Sequence, residues 1–272
     1  MAKLSGTTLR PRAAKSPKSP SKPRLEGLSL WGFHAVQEAW LNPARRCLSL
    51  RLTDSAFKSF QPIIEKAEAQ GLSRPAPLRV ARGDIDMFVP RETVHQGILL
   101  EVEGLPAQSL DDFLACAPSD ARILILDQVT DPHNVGAILR SVAAFGADAL
   151  IVTERHAPGA TGVLAKTACG AVEHVPLIAV VNLARSLEAL RTEGFWCIGL
   201  AEEGARDLSF SRLEKGRVAL VLGAEGDGLR RLTRQHCDEL VRLPTGGAIG
   251  SLNVSNAAAV ALYEVQRQRI LA

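Results

Sequence analysis

No stretch of this chain approaches the roughly 18 to 20 uninterrupted apolar residues that a membrane-crossing helix needs. Its first residues also lack the apolar core of a secretory leader. The expectation is a cytoplasmic protein with no membrane partner. Cysteine is scarce: Cys47, Cys116, Cys169, Cys197 and Cys237 are odd in number, form no CxxC pair and have no histidine nearby at ligand spacing. They read as reduced, mostly buried small side chains, and no metal site is expected. Two phosphate-binding devices are missing as well, since neither GxGxxG nor GxxxxGK[ST] occurs. That speaks against a nicotinamide oxidoreductase on a doubly wound sheet, which needs the first of these and an acid about 20 residues further on.

Bulk positive charge is also lacking. The net charge of +3 conceals an arm of seven basic and no acidic side chains in residues 1–25, leaving 25 basic and 29 acidic groups in the rest of the chain. Any binding to a polyanion falls to the arm and to local patches. The arm, rich in Lys, Arg, Ser and Pro, cannot bury enough surface to order itself. It reads either as a phosphate-binding extension or as an inert tail. Prolines at 11, 17, 20 and 23 oppose the amphipathic helix of a transit peptide.

What is present is an apolar fraction of 46% over 272 residues, enough for a large and a small domain. Residues 28–104 alternate helix and strand: a helix around His34 to Leu41, a strand at Cys47 to Leu52, a helix near Phe57 to Gln70, and strands near Leu78 to Val80 and Gly97 to Val102. A small α/β domain is expected there, then a linker over 105–120. From residue 121 to 272 short apolar strands recur between helical segments, at Ile123 to Leu126, Ala149 to Thr153, Phe195 to Leu200, Val218 to Leu222 and Leu240 to Leu243. Continuous Val, Ile and Leu in short runs are the mark of parallel strands buried on both faces, so an α/β sheet is expected.

Ligands of such sheets gather at the carboxyl ends of the strands, and three loops there are candidates. The first runs from Asp127 through Asn134 to Arg140. These last two lie six residues apart on a helix, pointing in different directions but able to border one crevice. The ordinary structural reading is a helix cap for Asn134 and a solvated side chain for Arg140. The second loop, Gly223 to Gly228, carries Glu225 among glycines that permit close backbone approach to a ligand; the alternative is a plain turn. The third, Leu243 to Asn256, places Ser251, Asn253 and Ser255 at the entrance of a long Ala-rich helix, with more glycine than a cap requires.

In this order and spacing the segments Asp131-Pro-His-Asn-Val-Gly-Ala-Ile-Leu-Arg140, Leu222-Gly-Ala-Glu-Gly226 and Ser251-Leu-Asn-Val-Ser255 after Leu243-Pro244 resemble the three motifs of the SpoU (TrmH-like) class of SPOUT RNA methyltransferases. The likeness extends through Ala168-Cys-Gly-Ala-Val-Glu173 and Arg230 to Glu239. Trp31-Gly-Phe-His-Ala-Val36 and His95-Gln-Gly97 look like the L30e-like RNA-binding domain of rRNA-directed members. The chain departs from the family pattern at Ser141, Thr245 and Asn256.

The resemblance implies a trefoil knot in the C-terminal parallel sheet and a homodimer that builds each active site from two protomers. It implies S-adenosyl-L-methionine as cofactor, held largely by backbone around Gly223, Leu243 and Leu252. Asn134, Arg140, Glu225, Ser251 and Asn253 fall on the family's catalytic positions. The expected reaction is 2′-O-methylation of ribose in RNA, on a guanosine of 23S rRNA. The alternatives are a tRNA target, or a non-catalytic RNA-binding ribosome assembly factor.

Overall fold

The computed structural model of the chain describes residues 25, 27–156, 162–211, 213, 216–247 and 250–272. The expected basic arm lies outside the described residues except for Leu25, as do Ala248 and Ile249 of the third loop.

The first part of the chain runs β1 (Leu28–Trp31), α1 (Phe33–Leu41), β2 (Cys47–Leu52), α2 (Asp54–Ala69), β3 (Leu78–Arg79), α3 (Arg82–Asp86) and β4 (Ile98–Val102). Its four strands form a mixed sheet in the order β1-β4-β2-β3. Helix α2 starts three residues before the expected Phe57 because the Thr53 hydroxyl accepts the Ala56 N–H, capping the helix. Trp40 and Phe60 pack edge to face at 6.4 Å in the core between helices and sheet.

Within the expected linker the chain forms α4 (Leu110–Cys116), where Ser109 accepts the Asp112 N–H and the Asp112 carboxylate accepts the Ser109 N–H. The second part then alternates β5 (Arg122–Asp127), α5 (Pro132–Ala144), β6 (Ala149–Thr153), α6 (Gly162–Thr167), β7 (Leu177–Val180), α7 (Leu183–Thr192), β8 (Phe195–Leu200), β9 (Arg206–Asp207), β10 (Arg217–Gly223), α8 (Arg231–His236), β11 (Glu239–Arg242) and α9 (Val254–Leu271). Its seven strands are all parallel, in the order β7-β6-β5-β10-β8-β11-β9.

Strand periodicity divides the core in two. Leu124, Leu126, Leu220 and Leu222 face α5 and α9, against Ile138, Leu139, Ala258 and Leu262. Ile123, Ile125, Ala219 and Val221 face the other way, toward Leu187 and Leu190 of α7 and Phe113 of α4. Because both faces are covered, β5, β6 and β10 are buried almost throughout. β5 and β10 are neighbours, yet the chain leaves β5 toward β6 on one side and β10 toward β11 on the other. Their carboxyl ends therefore sit where the strand order reverses, the place where an open parallel sheet leaves a crevice.

Candidate active site

A cavity of about 720 Å³ opens past the carboxyl ends of β8, β10 and β11, and its wall includes Leu222, Gly223, Glu225, Leu243, Ser251 and Leu252. Residues from the second and third loops thus meet around one space.

The second loop is folded tightly. Ala224 and Gly228 pair as an isolated bridge, Gly226 and Gly228 have φ of 86° and 65°, and a Cβ on Gly223 would collide with the backbone of Gly228 and Leu229. Only glycine fits at 223, and its backbone is left bare toward the cavity. The loop is tied to the end of β5 by Asp127, which is fully buried. Its Oδ1 accepts from Arg230 Nε at 2.6 Å and its Oδ2 from Arg230 N at 3.0 Å. A carboxylate taken out of water keeps its charge only with such partners.

The first and third loops meet through Asn253. Its Oδ1 accepts from Ser255 N at 2.9 Å and Ser255 Oγ at 2.6 Å, which caps α9. With the oxygen so engaged, Nδ2 is left to donate, and it points to Asn134 Oδ1 at 3.2 Å and Glu225 Oε2 at 3.5 Å. Asn134 is free for this contact because the cap of α5 is Asp131, which accepts the His133 N–H at 2.9 Å, with Pro132 in the first turn. The capping role considered for Asn134 therefore belongs to its neighbour three residues earlier.

Of the expected catalytic residues, Asn134, Glu225 and Asn253 are brought together and Ser251 stands exposed at the cavity wall beside them. Arg140 is not brought to the cavity of its own chain. It lies on the exposed side of α5, its Nη1 donating to Cys169 Sγ at 3.5 Å. Sequence reasoning missed Asp127 and Arg230, although a carboxylate closing an apolar strand was a usable signal. It also missed the cavity wall made by Glu202, Glu203 and Arg234, of which the last two form an ion pair.

The cavity fits a nucleoside-type cofactor with a net positive charge. Its volume is within the usual range of about 300–1,000 Å³ for such sites. Its wall carries the carboxylates of Glu202, Glu203, Glu225 and Asp227 against the guanidinium groups of Arg234 and Arg242. Among the described residues no group of three or more His, Cys, Asp or Glu side chains is placed to hold a metal.

Fold and site define an open parallel α/β protein with a cofactor-sized cavity at the carboxyl edge of its sheet. The sequence profile of the SpoU rRNA Methylase family matches residues 121–263, and the chain belongs to that family. It is 42% identical over 246 residues to the 23S rRNA (guanosine-2′-O-)-methyltransferase RlmB of Pseudomonas putida, spanning 88% of this chain and 96% of that protein. The corresponding protein of Haemophilus ducreyi is 40% identical, across 89% of this chain and 98% of its own. Among solved structures, the SpoU methyltransferase AviRb from Streptomyces viridochromogenes in complex with the cofactor AdoMet superposes with a TM-score of 0.73 at 25% identity, covering 89% of this chain and 90% of that one.

Proposed function

We propose that this chain transfers a methyl group from S-adenosyl-L-methionine to the ribose 2′-hydroxyl of a guanosine in 23S rRNA. The carrying observation is the meeting of Asn134, Glu225 and Asn253 beside the cavity, in a chain about 40% identical to proteins named for that reaction. The cofactor, when bound, supplies an activated methyl on a sulfonium. Backbone at Gly223, Leu243 and Leu252 would hold it, while the acidic wall favours its positive charge over the neutral thioether left after transfer.

The chain's own contribution is placement. Asn134 and Asn253, held by each other, orient the ribose, and Ser251 offers a hydroxyl at the cavity wall. Glu225 accepts from Asn253 and fixes which way its amide faces. A guanidinium offers five N–H donors and no acceptor, so Arg140 is a poor proton acceptor. Its role is to bind the neighbouring phosphate and stabilise the oxygen as its proton leaves to solvent.

The same reading includes a homodimer. Arg140 lies outside its own chain's cavity, and α9 exposes Val260, Tyr263, Ile270 and Leu271, so a second copy packing there would bring an arginine to each cavity. Residues 28–104 are proposed as an L30e-like RNA-binding unit, the basic arm as an added phosphate contact, and the cytoplasm as the place of action. A trefoil knot at the C-terminal end of the parallel sheet is part of the reading, supported by the contact of Asn253 with Asn134 and Glu225.

The test is transfer of labelled methyl to total RNA from cells lacking the corresponding modification. Label in 23S rRNA is expected. Label in tRNA would move the target, and no label despite cofactor binding would favour an assembly factor.

A further inference from the structure

The two sheets meet along a seam made by α6 and the turn Ala171–Glu173. This segment serves both cores: Leu164 packs in the core of the parallel sheet, Ala165 in that of the mixed sheet, and Val172 against both. On the mixed-sheet side it touches α1 and β1. A Cβ on Gly162 would collide with the Trp31 ring, and Lys166 Nζ donates to Val94 O at 2.8 Å. On the other side it supports α5, where a Cβ on Gly136 would come within 2.7 Å of Thr167 Cβ.

At the centre of the seam is a buried ion pair. Arg45 Nη2 reaches Glu173 Oε1 at 2.7 Å and its Nε reaches Oε2 at 3.1 Å, with side chains 4% and 0% exposed. Asn42 Nδ2 donates to the same Oε2 at 2.8 Å, and Arg45 Nη1 donates to Glu103 O at 2.8 Å, just past β4. Next to it His174 Nε2 lies 2.8 Å from Glu38 Oε2. Apolar packing alone lets two surfaces slide, whereas a two-pronged guanidinium–carboxylate contact has one geometry.

This contact leads to Arg140 through one short turn. Four residues before Glu173 stands Cys169, in a left-handed conformation with φ of 50°, followed by Gly170 at 87°. Cys169 Sγ is the atom that receives Arg140 Nη1. The side chain that anchors the mixed sheet and the one that meets the catalytic arginine thus belong to one short turn.

We infer that Arg45 and Glu173 are positioning residues: their buried pair seats the N-terminal sheet in one register beside Arg140, so that RNA held by that sheet presents one nucleotide to the cleft. The inference rests on the RNA methyltransferase reading given above.

The test uses the full chain with Glu173→Gln, which keeps size and removes charge, and Arg45→Lys, which keeps charge and loses the second prong. S-adenosylmethionine affinity by calorimetry is expected to stay within about twofold for both. KM for a 23S rRNA fragment is expected to rise about tenfold in Glu173→Gln and less in Arg45→Lys, with kcat within about threefold. Without substrate, proteolysis within residues 105–109 is expected to quicken as the sheet unseats. Unchanged KM and proteolysis would overturn the inference, as would loss of cofactor affinity and kcat with KM constant, the pattern of a merely structural pair. A wild-type chain that transfers no methyl to RNA fails the functional reading instead; quickened proteolysis in the variants would then still show the seat.

Discussion

The side chains of Asn253 and Asn134 stand 3.2 Å apart across 119 residues of sequence. One amide caps α9 with its oxygen and reaches the first turn of α5 with its nitrogen, so helix capping and the meeting of two loops share a residue.

Two substitutions separate these roles. Asn253→Ala loses the cap, at about 1 kcal/mol of stability, and also the contact to Asn134, with turnover falling about 100-fold through misplacement. Asn253→Asp keeps the acceptor for Ser255 but loses the donor and sets a carboxylate against Glu225. Urea unfolding near wild type combined with the same loss of turnover is the expected outcome.

Gly223→Ala places a methyl group into the backbone of Gly228 and Leu229. S-adenosylmethionine affinity by calorimetry is expected to fall at least about tenfold, equivalent to about 1.4 kcal/mol, with circular dichroism preserved. Gly246→Ala is the control, because nothing lies within 4 Å of its added Cβ and its φ is not positive. Affinity there is expected to be unchanged.

Arg230→Ala leaves the fully buried Asp127 without its guanidinium. The loss expected in urea unfolding is about 2–3 kcal/mol, below that for a wholly buried pair because Arg230 is half exposed. Asp127→Asn, which retains an acceptor for the Arg230 backbone N–H, is expected to lose less.

Burial pushes the thiol of Cys47 up to about 11 and those of Cys197 and Cys237 up to about 12. At pH 8 they are almost wholly protonated, so iodoacetamide is expected to modify exposed Cys116 first and to spare these three in the folded chain. The unfolded thiols ionise near 9, below the folded values, so the native state holds these protons more tightly. Their stabilising contribution is complete below pH 9 and is lost as the pH rises toward 11–12. Urea midpoints measured from pH 8 to pH 11 are expected to fall, and to fall less steeply in Cys197→Ala.

The strands buried on both faces were the legible part of the fold. β6 and β8 match their expected bounds, and β5 and β10 differ by one residue at each end, because continuous Val, Ile and Leu have no other use at that length. β7 escaped notice as an edge strand with Ala179 turned to solvent, and β9 because two residues become a strand only by pairing with β11. α4 read as linker because it has only seven residues, two of them acids, although Leu110, Phe113 and Leu114 pack on the core. That the loops of Asn134, Glu225 and Asn253 border one crevice was suggested by motif spacing and resemblance, and their side chains do meet. The Arg45–Glu173 and Asp127–Arg230 pairs, separated by 128 and 103 residues, were not. Nothing local in sequence says which distant charge will share a buried site.

The most direct test of the central claim is nucleoside analysis of 23S rRNA methylated by the purified chain, comparing wild type with Arg140→Ala. A single 2′-O-methylguanosine is expected in the wild-type product, absent from the variant's product while the variant still binds S-adenosylmethionine. A methyl group on a base, on another nucleoside, or at undiminished yield in Arg140→Ala would contradict it.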